Sequence, residues 1–137
     1  MFYVSENGSD TNDGKTLTTA FRTVHKALSV MQPGTAITPG DTVFVKSGEH
    51  FVENPATLPA FCSIIGDNLR STFIKPINQS QDIFYVNKGC YINGFTFKNH
   101  RDGAAVVAFP PDGSAGEITT SPYVQNCTSI TTTGTGM

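Results

Sequence analysis

The stretch with the most chemical potential is Lys98-Asn99-His100-Arg101-Asp102-Gly103. Basic side chains beside a carboxylate are what general acid–base catalysis requires. The same residue types build solvated turns, because Asn, Asp and Gly supply local hydrogen bonds and left-handed backbone. A second polar stretch, Ser5 to Gly14, reads SENGSDTNDG and carries Asp10 and Asp13. A calcium site would use these two carboxylates, but the EF-hand spacing fails: Asp10, Asn12, Asp13 and Gly14 are too compressed, and residue 20 is Ala. Two successive turns at Asn7-Gly8 and Asp13-Gly14 account for the stretch better. Tyr85, Tyr91 and Tyr123 offer flat faces for sugar rings, or else pack at strand edges.

Other chemistries lack their signatures. There is no GxSxG elbow, no HExxH and no phosphate-binding loop. Cys62, Cys90 and Cys127 are an odd set without CxxC spacing, and they read as small buried hydrophobes. Asp67, Asp82, Asp102 and Asp112 fall in turns without a visible common register. No cofactor motif is present, and the metal reading of the Ser5–Gly14 loop is calcium through Asp10 and Asp13.

Composition sets the frame that must position these residues. The chain has 137 residues, which suits one domain. Charged residues are only 15% and Gly numbers 13, which favours a turn-rich β protein over a helical bundle. The formal net charge is −2 and no basic run exceeds two neighbours, so a nucleic-acid footprint is missing. The longest apolar run, Ala104 to Phe109, is too short to span a bilayer, and no secretory pattern opens the chain.

One helix is expected. Phe21, Val24, Leu28 and Met31 share a helical face, with Thr18 or Thr19 as N-cap and Pro33-Gly34 as the stop. Arg22, His25, Lys26 and Ser29 would face water. Elsewhere short apolar clusters alternate with turn residues. They lie at Phe2–Val4, Thr42–Lys46, Phe61–Ile65, Thr72–Ile74, Ile83–Val86, Tyr91–Phe97, Ala104–Phe109 and Tyr123–Ile130, with Ser47-Gly48-Glu49 read as a turn. Cys62-Ser63-Ile64-Ile65-Gly66 and Cys90-Tyr91-Ile92-Asn93-Gly94 share the pattern Cys-x-Ile-x-Gly. The step from Cys62 to Cys90 falls in the range that marks a solenoid, in which equivalent residues stack.

Three ordered segments carry a resemblance. Tyr3-Val4-Ser5 with Asn7-Gly8-Ser9-Asp10 and Asn12-Asp13-Gly14 comes first, then Ala20-Phe21-Arg22-Thr23-Val24 with Ala27-Leu28. Pro39-Gly40-Asp41-Thr42-Val43 with Val45 and Gly48-Glu49-His50-Phe51 completes the set. Together they resemble the entry segment of right-handed parallel β-helix proteins of the pectate-lyase-like superfamily, with His50-Phe51 departing from the usual Tyr. Ile92-Asn93-Gly94-Phe95-Thr96-Phe97-Lys98-Asn99 resembles one of that family's rungs. The resemblance implies an all-β, right-handed parallel β-helix. Residues 1–38 would form the N-terminal strand, loop and capping helix, and residues 39–137 the rungs. Its enzymes are lyases that take a proton beside a uronate carboxylate. This makes Lys98, His100 or Arg101 the implied base and Asp102 its partner or a calcium ligand.

Ser121-Pro122-Tyr123-Val124-Gln125-Asn126-Cys127-Thr128-Ser129-Ile130 and the Thr/Gly tail are similar to a segment of large virion structural proteins of T4-like marine cyanophages. That resemblance implies a non-enzymatic tail or baseplate protein, located in the virion, with other virion proteins or polysaccharide as partners. Homotrimers are common among such fibres. The alternative is a carbohydrate-active enzyme, a lyase or glycoside hydrolase acting on acidic polysaccharide. Because Thr131 to Met137 offers no apolar lid, a longer protein or a covering subunit is expected to close that end.

Overall fold

The computed structural model describes residues 1–100, 104–111, 113, 116 and 120–130. It is mostly strand, with one short helix. In chain order the elements are β1 (Phe2–Val4), α1 (Val24–Val30), β2 (Thr42–Val45), β3 (Gly48–Val52), β4 (Ala56–Thr57), β5 (Ser63–Gly66) and β6 (Thr72–Pro76). Then follow β7 (Phe84–Tyr85), β8 (Tyr91–Asn93), β9 (Thr96–Lys98), β10 (Val107–Ala108), β11 (Tyr123–Gln125) and β12 (Thr128–Ile130).

The strands form three open sheets, and every strand pair among the described residues is parallel. Sheet A runs β1-β2-β5-β8-β11, sheet B β3-β6-β9-β12 and sheet C β4-β7-β10. From β2 onward the chain visits A, B and C in rotation and returns one place further along each time. Thr42 thus pairs with Ser63, Ser63 with Tyr91, and Tyr91 with Tyr123. Each of these steps spans more chain than the one before, with the added length taken up in the connections.

Alternation decides which side chains go inward. Val43 and Val45, Ile64, and Ile92 are buried on sheet A; Val52, Ile74 and Phe97 on sheet B; Ala56 and Phe84 on sheet C. Leu58, Cys62, Val86, Cys90 and Phe95 fill the corners between sheets. Each fully buried aliphatic or aromatic side chain contributes about 1.5–3 kcal/mol of transfer free energy.

The Cys-x-Ile-x-Gly motif has a geometric cause. Ile64 and Ile92 stack inside, while Gly66 and Gly94 stack at the corner where the chain leaves sheet A. Gly94 has φ +89°, and a Cβ on Gly66 would run into the Gly94 carbonyl. At the matching corner after β11, Asn126 takes φ 51°, a left-handed value that Asn tolerates better than most residues.

Over the first turn of chain lies α1, packed against β1, β2, β3 and β4. Val24, Ala27 and Leu28 point inward from it, with Met31 just beyond. Phe21 is buried too, but as a strand-like bridge to Val4 rather than as a helical residue. The N-cap is Thr23, not Thr18 or Thr19. Thr16 and Thr19 are consumed in their own turn, where Thr19 N donates to Thr16 Oγ1. Asp10 meanwhile accepts from Arg22 N, Thr23 N and Thr23 Oγ1, setting the extended backbone from which the helix starts. Arg22 and Ser29 are exposed, whereas His25 and Lys26 are half-buried.

Two strand boundaries differ from the sequence reading. Gly48 and Glu49 open β3 instead of turning, because Gly48 N already donates to Ser71 O of the next turn of chain. The Tyr91–Phe97 cluster is two strands, divided at Gly94. The Thr131–Met137 tail lies outside the described residues. No helix among the described residues is long and apolar enough to cross a membrane.

Candidate functional site

On the outer face of sheet A the register brings two tyrosines together. Tyr91 and Tyr123 are Cα partners in the β8–β11 ladder, and Asn93 and Gln125 are partners further along the same pair. Ile92 is buried between Tyr91 and Asn93, so both flanking side chains face out. Tyr123 is 61% exposed.

The polar groups here are linked. Asn93 Nδ2 donates to Tyr91 Oη at 2.9 Å, and Tyr91 Oη donates to Gln125 Oε1 at 3.1 Å. Asn126 Nδ2 donates to Asn93 Oδ1 at 3.1 Å. This relay fixes the Tyr91 ring and the three amides before any ligand arrives. Gln125 Nε2, Asn126 Oδ1 and Tyr123 Oη have no hydrogen-bond partner among the described residues, so two acceptor-capable oxygens and an amide donor remain at the surface. None of the five side chains is charged. An aromatic face beside neutral amides suits a ligand with C–H faces and hydroxyl groups.

Tyr85 is not part of this patch. It lies on β7 in sheet C, beside Thr57 and Ala108. The sequence reading also missed Asn93, Gln125 and Asn126. Their signal was present: Tyr91-Ile92-Asn93-Gly94-Phe95-Thr96 and Tyr123-Val124-Gln125-Asn126-Cys127-Thr128 match in residue type at the first three positions and the sixth, and differ at the fourth and fifth. The step from Tyr91 to Tyr123 is longer than that from Ser63 to Tyr91, and this change of period concealed the match.

No family model, curated protein or solved structure matches this chain.

The candidate catalytic residues do not form a unit among the described positions. Lys98 lies on the outer face of sheet B with its ammonium 3.9 Å from the centre of the Phe73 ring, a cation–π contact. His100 is buried, with Nε2 3.5 Å from Ser129 Oγ. Arg101 and Asp102 lie outside the described residues, as does Asp112. Asp82 Oδ1 accepts from Ala105 N, and Asp67 is 3.5 Å from Lys46 Nζ.

The two loop carboxylates are occupied by the chain's own donors. Partial burial works to raise the Asp10 pKa, but the hydrogen bonds from Thr23 and Arg22 outweigh it and hold the carboxyl below its ordinary value. Asp13 accepts from Lys15 N and Thr19 Oγ1, and these bonds lower its pKa also. Among the described residues no group of three or more His, Cys, Asp or Glu gathers to hold a metal ion.

Burial pushes the Cys62 thiol up to about 11 and raises Cys90 and Cys127 as well. Thiols so held are poor nucleophiles. Cys62 Sγ donates to Gln32 O, and Cys90 Sγ to Pro59 O, so they act as weak donors that close turns.

Proposed function

We propose that the chain is a right-handed parallel β-helix with an N-terminal capping helix, serving as a non-enzymatic glycan-recognition and structural protein of a phage particle. Support for the β-helix comes from the rotation of successive strands through three parallel sheets. Parallel crossovers are right-handed in nearly all proteins, which supports the right hand. In this arrangement α1 covers the apolar cross-section of the first turn, and Phe21 and Leu28 seal it.

The observation that carries the function is the Tyr91–Tyr123 row with its Asn93, Gln125 and Asn126 relay. A solenoid face repeats its side chains at the spacing between strands, roughly 4.8 Å, so neighbouring turns present a ladder to an elongated ligand. The uncharged patch favours neutral saccharides over uronate polymers. The virion assignment rests on the resemblance of the segment beginning Ser121-Pro122.

Affinity electrophoresis through gels containing neutral or acidic polysaccharides tests the reading. Retardation by a neutral polymer, abolished in Tyr123→Ala, is expected. Retardation by acidic polymers alone, or release of unsaturated uronate from alginate or pectate, would replace it with the enzyme reading.

A further inference from the structure

Strand β3 ends sheet B on the side opposite β12, and among the described residues its far edge carries no partner strand. In a parallel ladder alternate residues direct both main-chain groups to one neighbour. Gly48 N donates to Ser71 O, and Ile77 N donates to Val52 O. With the register Gly48↔Thr72 to Val52↔Pro76, the main-chain groups of Gly48, His50 and Val52 therefore face β6. Those of Glu49 and Phe51 face the open edge. The next edge donor, Glu53 N, is closed by His25 Nδ1 at 3.0 Å. Among the described residues, Glu49 and Phe51 are thus the β3 positions left open, between a blocked end and the Gly48 corner.

A cavity of about 240 Å³ lies there, lined by Glu6, Arg22, Thr23, Glu49, His50 and Phe51. The Glu6 carboxylate lies so close over Gly48 that a Cβ at this position would overlap its Oε1. Neither the Glu6 carboxylate nor the Arg22 guanidinium makes a hydrogen bond or ion pair among the described residues. The charge of Glu49, by contrast, is held by Lys75 at 2.9 Å. His50 is buried, and its Nε2 donates to Lys46 O at 2.8 Å. The neutral ring therefore leaves Nδ1 as a bare acceptor, and it has no partner among the described residues.

We propose that the free edge of β3 is a docking site for an extended peptide segment of a partner protein, added as a further strand with a basic side chain over Glu6. The Glu49 and Phe51 amides and carbonyls supply the main-chain ladder, and a short strand suffices because only these two residues are open. Glu6 supplies the charge that selects a basic residue, and Arg22 on the other wall receives a peptide carbonyl oxygen. An uncovered edge is otherwise an aggregation hazard, which the chain limits by keeping it short. The site lies on sheet B and does not depend on the glycan reading of sheet A.

Amide hydrogen exchange on the intact chain, followed by NMR, tests the proposal. In the free protein the Glu49 and Phe51 amides exchange fast while His50 and Val52 are protected. Acetyl-Thr-Val-Lys-Val-Thr-amide slows Glu49 and Phe51 by roughly tenfold or more at saturation. The same peptide with Glu in place of Lys binds at least about tenfold more weakly, equivalent to about 1.4 kcal/mol. Glu6→Gln removes that preference and leaves the His50 and Val52 protection unchanged, which shows that the fold is intact. Protection of Glu49 and Phe51 before peptide is added, no slowing at millimolar peptide, or equal binding of the two peptides would each overturn it.

Discussion

Tyr123 lies directly beside Tyr91 in the ladder of sheet A, one strand away and a full circuit of the three sheets later in the chain. The two differ in what holds them. Tyr91 is tied through its hydroxyl to Asn93 and Gln125, whereas Tyr123 is 61% exposed and makes no such bond among the described residues. Tyr123→Ala is therefore expected to weaken saccharide binding by roughly tenfold, about 1.4 kcal/mol. Its effect on stability should stay within about 0.5 kcal/mol, as at ordinary surface positions. Titration calorimetry and urea denaturation on the same variant check both halves.

The corner between sheets A and B should be intolerant of side chains. Gly94 holds φ +89°, and the Gly66 carbonyl lies 2.8 Å from where its Cβ would be. Gly94→Ala is expected to cost about 1–3 kcal/mol, the range for a residue forced into a sparsely populated backbone region. Asn126→Gly, at φ 51°, is expected to be near neutral. Urea midpoints of the two variants give the comparison, and an unchanged midpoint for Gly94→Ala would contradict the stacked corner.

The same residues show how much of the fold was legible in the sequence. Cys-x-Ile-x-Gly reported the step from β5 to β8 because the corner demands Gly on both turns. The following step was hidden because Asn126 replaces Gly and the connection lengthens. Tyr91 and Tyr123 were identifiable as aromatic residues, but their adjacency depends on that register. Tyr85 has the same chemistry and sits on another sheet. Of the helix face expected from apolar spacing, Val24 and Leu28 lie on α1, whereas Phe21 and Met31 are buried on either side of it. The start of α1 was not legible, since Thr23 became the cap through Asp10, far back in the preceding loop.

Asp10 should carry part of the acid sensitivity of the fold. Its pKa is lowered in the folded chain from an ordinary value of 3.8, because the bonds from Thr23 and Arg22 outweigh the opposing effect of burial. A depressed carboxylate stabilises the fold above the unfolded pKa, and this contribution is lost as pH falls through the folded pKa. Asp10→Ala is expected to cost about 1 kcal/mol at neutral pH, in the range for lost hydrogen bonds at a partly exposed carboxylate. The variant should also lose less stability than the parent on acidification below about pH 4. Thermal melts from neutral to strongly acidic pH measure the convergence.

His50 acts in a neighbouring pH window. Burial lowers its pKa from 6.5, opposed by the bond to Lys46 O and the charge of Glu6. Below about pH 6.5 the unfolded chain takes up a proton that the folded chain resists, so stability falls as pH drops toward the folded pKa. His50→Gln should flatten this slope between about pH 7 and 5 in urea denaturation. A slope unchanged by the substitution would mean that the ring is not held neutral.

The central claim is that the uncharged relay on sheet A recognises neutral saccharide. The direct measurement is an NMR titration of the intact chain with a neutral oligosaccharide, following the side-chain amides of Asn93, Gln125 and Asn126. The account predicts that these three signals shift together and saturate, while a uronate oligosaccharide of equal length leaves them in place. Shifts confined to the Lys98 and His100 region, or a response to the uronate alone, would contradict it.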